Sequence, residues 1–62
     1  MKLNEYLASS GLTLAEFAQK IGVFGPQTVW RYTKGGRIPK PEIIARIAAA
    51  TNGAVTANDF HG

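Results

Sequence analysis

Residues 13–35 constrain the fold most, because they hold two sets of helix start and stop signals separated by a short turn. The Thr13 hydroxyl can cap the first helix, and Glu16, three residues later, can accept a hydrogen bond from the Thr13 amide, which makes a capping box. Leu12 and Phe17 lie at the spacing of a hydrophobic staple. The helix then carries one apolar stripe at helical spacing, formed by Leu14, Phe17, Ala18 and Ile21.

A second helix is predicted to begin at Pro26. Proline suits a first helical position, and it pushes the preceding Gly25 out of helical geometry. Phe24 and Val29 repeat the staple spacing across this start. Val29 and Tyr32 lie three residues apart and should face inward. The opposite side of the helix should then present Gln27, Thr28 and Arg31.

Two segments carry a resemblance to a known family. They are Leu-Ala-Glu-Phe-Ala-Gln-Lys-Ile-Gly-Val at 14–23 and Pro-Gln-Thr-Val-Trp-Arg-Tyr at 26–32. The chain resembles the helix-turn-helix regulators of the phage Cro and repressor type, the XRE-like family. With the flanking helices, the resemblance covers nearly the whole chain. Four positions have the same roles as in the family: the small residue Ala18, the turn residue Gly22, and the apolar residues Val23 and Val29.

The sequence departs from the family pattern at two points. Val23 is followed by Phe24 and Gly25, whereas the family usually goes directly to a capping serine or threonine, so the turn is one residue longer and glycine replaces the hydroxyl. In addition, Leu14 stands where family members often place a polar side chain that meets phosphate. Thr13 is therefore expected to supply that contact instead.

The resemblance implies that the second helix of the motif enters the major groove of double-stranded DNA. Glutamine can pair with adenine and arginine with guanine, while proline can press against a thymine methyl. Base contacts are expected from Pro26, Gln27, Thr28 and Arg31. Phosphate contacts are expected from Thr13, Gln19, Lys34, Arg37 and Lys40. Alternatively, the Thr28 hydroxyl serves the helix start, and Gln19 is ordinary helix surface.

Most family members bind as dimers to two half-sites about one helical turn apart, roughly 34 to 36 Å. By resemblance we expect a homodimer, at least on DNA, that represses by occupying an operator. The surface expected to form the dimer is Ala54, Val55 and Phe60.

Helical patterns also flank the motif. Residues 2–10 predict a first helix with Leu3, Tyr6 and Leu7 on one face. A loop follows Gly35, and Ile38 is expected to hold it against the core. The next helix should run from Pro41 to about residue 51 as the floor of the core, with Arg46 facing away from an apolar stripe of Ile43, Ile44, Ile47, Ala48 and Thr51.

The end of the chain repeats the helix-start pattern on a smaller scale. Thr56 is expected to cap a single helical turn with Asp59 as its partner, and Val55 and Phe60 lie at staple spacing. One turn is too short to be stable alone, so Phe60 should be anchored on the core or on a partner chain. Glycines follow the four longer helices, at Gly11, Gly22, Gly35 and Gly53.

Length and composition bound the remaining possibilities. The 62 residues predict one all-α domain over residues 1–62, a small four-to-five-helix bundle. The absence of cysteine, of a signal-peptide pattern and of a long apolar run fits a cytoplasmic protein of a bacterial or phage-infected cell. The formal net charge is +3, and five of the seven Lys and Arg residues lie in the interval 31–46, at Arg31, Lys34, Arg37, Lys40 and Arg46. Such a patch attracts phosphate.

Other functions fit the sequence less well. The four carboxylates form no close pair and the lone histidine, His61, makes no metal site, so we expect no enzyme, cofactor, metal or small-molecule ligand. A membrane-surface peptide is disfavoured because the basic residues do not follow one long amphipathic helix. A protein-interaction or antitoxin-like module that keeps the fold remains the alternative. Trp30 should pack over the following loop, or else contact sugar or phosphate.

Overall fold

Five helices follow one another along the chain in the computed structural model. The structure describes residues 1–61; the side chain of His61 and all of Gly62 lie outside the described residues, as does the expectation made for His61. The helices are α1 (Leu3–Ser10), α2 (Leu14–Ile21), α3 (Pro26–Lys34), α4 (Pro41–Ala50) and α5 (Asn58–His61). Residues 1–61 contain no strand. The all-α, helical-bundle prediction is confirmed.

The start of α2 forms as its sequence predicts. The Thr13 hydroxyl accepts a hydrogen bond from the Glu16 amide at 3.1 Å, and the Glu16 carboxylate accepts one from the Thr13 amide at 2.9 Å. At the other end, Gly22 adopts a left-handed conformation with φ of 72°. A residue with a Cβ is strained there, so glycine ends the helix and turns the chain toward α3.

The core is built mainly around α2, which packs most extensively against α3 and also contacts α4. Three side chains of α2 are buried, namely Phe17, Ala18 and Ile21. They meet Leu3 and Leu7 of α1, Val29 and Tyr32 of α3, Ile47 of α4, and Val55. Each of these residues was placed on an inward stripe by its spacing, except Val55, which was assigned to the dimer surface.

α4 is less central than its apolar sequence suggests. Of its predicted stripe, only Ile47 and Thr51 are buried, while Ile43, Ile44 and Ala48 are half-buried. The expectation that α4 forms the floor of the core is therefore only partly met, because α2, lying between α3 and α4, supplies most of the fully enclosed side chains.

Thr51 joins the end of α4 to the segment that follows. Its buried hydroxyl donates to the Ile47 carbonyl at 2.8 Å and accepts from the Val55 amide at 3.1 Å. Between them the chain turns through Asn52, whose φ is 58°, and Gly53, as the Asn-Gly stop signal predicts. As a result, Val55 is fully buried in the core.

Two expectations about exposed loops are wrong. Ile38 is 52% exposed and does not hold the loop after α3 against the core; the next residue, Pro39, is buried instead. Phe24 is 104% exposed, so it does not staple onto Val29, which is enclosed by other residues of the core. In both places, spacing along the chain did not specify which side of an irregular segment faces the interior.

The two ends of the described chain lie together. The N-terminal ammonium donates to the Ala54 carbonyl at 3.0 Å and to Asp59 Oδ1 at 3.1 Å. Asp59 Oδ2 also accepts from the Thr56 amide at 2.9 Å, so the Asp59 half of the predicted final capping arrangement is present. The Thr56 hydroxyl donates to Asp59 rather than accepting from the helix. Phe60 packs against the core, which was one of the two anchors expected for it.

Candidate nucleic-acid interface

The rotation of α3 about its axis is set by two buried residues. Val29 has no exposed surface and Tyr32 is 8% exposed. Residues three or four positions apart share one face of a helix. Val29 and Tyr32 therefore share the buried face, and Gln27 and Arg31 lie on the opposite, exposed face. Neither side chain makes a hydrogen bond or ion pair to another group in residues 1–60. Both polar heads are therefore directed to solvent and are not used to hold the fold.

The beginning of α3 is open. Pro26 occupies the first turn and is exposed. Gly25 precedes it in an extended conformation and brings no side-chain cap. Thr28 is half-buried, and its amide bonds to the Gly25 carbonyl at 3.1 Å. Of the four residues predicted to contact bases, Pro26, Gln27 and Arg31 share the exposed surface, whereas Thr28 lies at its edge.

Trp30 and Lys34 lie on the same exposed stripe as Gln27 and Arg31, since positions 27, 30, 31 and 34 follow helical spacing. Trp30 is 47% exposed. The Lys34 ammonium lies 5.8 Å from the centre of its ring, a cation–π contact. The Trp30 ring is thus exposed, and together with the Lys34 ammonium it extends the exposed surface toward the C-terminal end of α3.

The loop after α3 supplies further positive charge. Arg37 and Lys40 are exposed, and neither forms an ion pair with any side chain of residues 1–60. No Asp or Glu occurs between Glu16 and Glu42. Residues 31–40 therefore carry four exposed positive charges and no negative charge, a segment that can accept phosphate.

Arg46 has a different role from the rest of the basic patch. It faces away from the apolar stripe of α4, as expected, but Nη1 donates to the carbonyl oxygen of Ile21 at 3.4 Å. This guanidinium satisfies an acceptor at the C-terminus of α2, where positive charge is favourable. Arg46 therefore belongs to the support of the motif more than to its outer surface.

Thr13 and Gln19 are both exposed on α2 or at its start. At Thr13, however, the amide and the hydroxyl are already engaged in the capping box. The hydrogen bonds from Thr13, first from its backbone amide and then from its hydroxyl, lower the pKa of the Glu16 carboxyl. A carboxylate thus remains charged next to Thr13 at neutral pH, which weakens the case for a phosphate contact there.

The residues expected to form a dimer surface differ in exposure. Val55 has no exposed surface and so offers nothing to a partner; it is a core residue. Ala54 and Phe60 are half-buried and keep some surface. Burial of Val55 follows from the Thr51 hydrogen bonds, which a one-dimensional pattern did not reveal.

The geometry of α2, the turn and α3 matches a helix-turn-helix. A family model described as Helix-turn-helix matches residues 3–56 of the 62. The chain belongs to this family. It is the Cro and repressor type of helix-turn-helix, whose members bind DNA sequence-specifically, and the match leaves little of the chain outside a DNA-binding, non-enzymatic domain. No curated protein and no solved structure shows a significant match to the chain.

Two features are absent from the described residues. Among the described residues, no three His, Cys, Asp or Glu side chains are grouped so that they could hold a metal ion. None of the helices described has the length and apolar character that crossing a bilayer requires.

Proposed function

We propose that this helix-turn-helix protein is a Cro-like transcriptional repressor that binds a double-stranded DNA operator as a homodimer. In this proposal α3 lies in the major groove, and the bound dimer blocks access of polymerase by occupancy. It acts without a cofactor or small-molecule ligand, in the cytoplasm of a bacterial or phage-infected cell. The observation that carries the proposal is the exposure of Gln27 and Arg31, unpaired, on a helix fixed by Val29 and Tyr32.

Base reading is assigned to the exposed beginning and middle of α3. The Arg31 guanidinium can donate two hydrogen bonds to guanine O6 and N7, and the Gln27 amide can pair with adenine N6 and N7. Pro26 supplies an apolar contact. Thr28, being half-buried, is limited to the edge of this surface. Each good bidentate contact discriminates against the wrong base by about 1–3 kcal/mol.

Orientation on the duplex is assigned to the basic loop. Arg37 and Lys40 are exposed and unpaired within residues 1–60, so they can reach phosphates on either side of the groove. Lys34 adds a third cation, held over the Trp30 ring. Gln19 and Thr13 are weaker candidates, since the Glu16 carboxylate repels phosphate near Thr13.

Dimerisation is assigned to the surface carrying Ala54 and Phe60. Both are half-buried in the single chain, and the surface they leave is small. A dimer held by so little apolar area is expected to be weak in solution and to be completed by DNA, where two half-sites bring the copies together. Replacing Ala54 with lysine should prevent this close approach and convert cooperative binding to a full site into independent binding of half-sites.

Selection of bound sequences from a random DNA pool at two salt concentrations tests the proposal. We expect a palindromic site whose half-sites lie about 34 to 36 Å apart, with affinity falling steeply as salt rises. The single tryptophan, Trp30, reports binding independently through its fluorescence. A matched pair of variants, Arg31→Ala and Arg46→Ala, removes the same charge from α3 and from α4.

The Arg31 variant should change the selected sequence and the Arg46 variant should not. If no sequence is enriched and binding barely responds to salt, the repressor proposal is wrong. In that case the alternative, an interaction module that retains the fold, is favoured.

A further inference from the structure

Phe24 is an aromatic side chain with no structural role in the described chain. It is 104% exposed, the highest value among the large apolar residues. The preceding Val23 packs against the core, and its amide bonds to the Ala18 carbonyl at 3.1 Å, which fixes the turn just before Phe24. The following Gly25 has no neighbour near the place where a Cβ would lie. The turn is thus anchored on one side and leaves the ring in solvent.

The position of Phe24 along the chain places it beside the surface that reads bases. It precedes Gln27 by three residues, and three residues span at most about 10 Å. The major groove is about 12 Å wide. If Gln27 reaches a base edge, the Phe24 backbone therefore lies within about three base pairs of the position that Gln27 reads, a distance from which its exposed ring can reach the same groove.

The charge of the sequence on both sides of Phe24 favours nucleic acid over an apolar protein surface as its partner. Residues 17–41 carry five Lys and Arg and no Asp or Glu. Positive charge of this kind favours a polyanion. The exposed ring can pack against that polyanion only where it offers an apolar group. In the major groove the thymine C5 methyl is such a group, and phenylalanine is one of the side chains that contacts it.

We propose that Phe24 is a specificity-determining residue that contacts a thymine methyl in the major groove, close to the base pair read by Gln27. This inference rests on the proposed DNA-binding function. It assigns a purpose to the longer turn: the added residue projects an apolar group that α3 alone does not provide. Burial of one methyl contributes about fourfold in affinity.

The test is a deoxyuridine scan of the selected operator, in which each thymine in turn loses its methyl while keeping its hydrogen-bonding groups. The parent protein should lose about fourfold in affinity at one thymine of each half-site. Phe24→Ala should bind the intact operator more weakly and show no further loss at that thymine. Phe24→Leu, which keeps an apolar side chain, should retain part of the response. Ile38→Ala, at another exposed apolar residue, is the matched control: it should show the parent loss at the same thymine, whatever its overall affinity.

Each other outcome has a defined meaning. If Phe24→Ala binds every operator as the parent does, Phe24 makes no DNA contact and the inference fails while the proposed function stands. If this variant weakens binding but keeps the parent deoxyuridine pattern, the ring does not contact that methyl and the inference is wrong. If the variant changes the oligomeric state, the ring contacts another chain and the inference is wrong as well. If the parent protein selects no sequence at all, the proposed function fails first. Circular dichroism of Phe24→Ala checks that its helices are retained.

Discussion

Arg46 on α4 donates a hydrogen bond from Nη1 to the carbonyl oxygen of Ile21, the last residue of α2, at 3.4 Å. This contact joins two residues that lie 25 positions apart in sequence. It also lies next to Gly22, where a Cβ would come within 3.0 Å of the same nitrogen. The guanidinium therefore covers the end of α2 at the point where the turn toward α3 begins, and it helps to fix the first motif helix against α4.

Arg46→Ala is expected to destabilise the protein by about 0.5–1 kcal/mol. The carbonyl loses a charged donor and the C-terminus of α2 loses a favourable positive charge, while the exposure of Arg46 and the length of the bond limit the effect. Urea unfolding followed by circular dichroism measures the change. Arg37→Ala removes the same charge from an exposed loop residue and should leave stability nearly unchanged. Equal stability of both variants would show that the Arg46 contact contributes nothing.

Thr51→Val should cost about 1–3 kcal/mol, although the side chains have nearly the same shape. The substitution leaves the buried Val55 amide without its acceptor, and a buried unsatisfied donor bears that penalty. For a domain of this size the midpoint of thermal unfolding should fall by about 4–8 °C for each kcal/mol. Thr51→Ser keeps the hydroxyl and serves as the control. A valine variant as stable as the parent would contradict the role given to this hydrogen bond.

Stability should decrease in acid because two carboxyl groups have lowered pKa values in the folded state. Glu16 is lowered by hydrogen bonds from Thr13, and Asp59 by the Thr56 amide and the N-terminal ammonium. Lowered folded pKa values mean that this stability is complete above the unfolded pKa values of about 4.3 and 3.9, and is lost as the pH falls through the folded values.

Thermal unfolding between pH 7 and pH 2 measures this dependence. Glu16→Gln keeps an acceptor for the Thr13 amide but cannot titrate, so its curve should be flatter in acid than that of the parent. Parallel curves for the two proteins would remove Glu16 from the explanation.

Arg31→Ala should lower operator affinity by about 1–3 kcal/mol and relax the preference at one base pair. The guanidinium is exposed and unpaired within residues 1–60, so its removal should not disturb the fold. Competition binding against a set of single-base operator variants provides the measurement. Lys40→Ala is the comparison, because loss of a phosphate contact should weaken all sequences alike and reduce the salt slope by about 1. The same uniform loss in the Arg31 variant would reassign Arg31 to phosphate.

Helix bounds and helix ends were predictable because their signals are local. Pro26 and Gly35 mark the limits of α3 through backbone preferences that need no tertiary contact, and the reciprocal bonds of Thr13 and Glu16 span only three residues. Burial in irregular segments was not predictable in the same way. Pro39 rather than Ile38 is buried, since a loop has no fixed period that would tell one face from the other.

The exposed face of α3 was predictable from residue spacing, but the contacts between distant parts of the chain were not. Helical periodicity alone predicts that Gln27 and Arg31 lie opposite Val29. That Arg46 serves the end of α2, or that Val55 is enclosed while Ala54 keeps surface, depends on contacts between distant parts of the chain. The base, phosphate and dimer assignments themselves stay predictions until binding is measured.

The sequence by itself determined closely where the four longer helices begin and end, and which side of α3 is polar, because caps, glycine stops and helical periods act within a few residues. Only the tertiary structure decided that Phe24 is left in solvent and that Arg46 joins α4 to α2. The physical reason is that burial is a property of the packed chain: whether an apolar ring in a turn finds a partner depends on which surfaces remain open once the core residues Phe17, Val29 and Ile47 have enclosed one another.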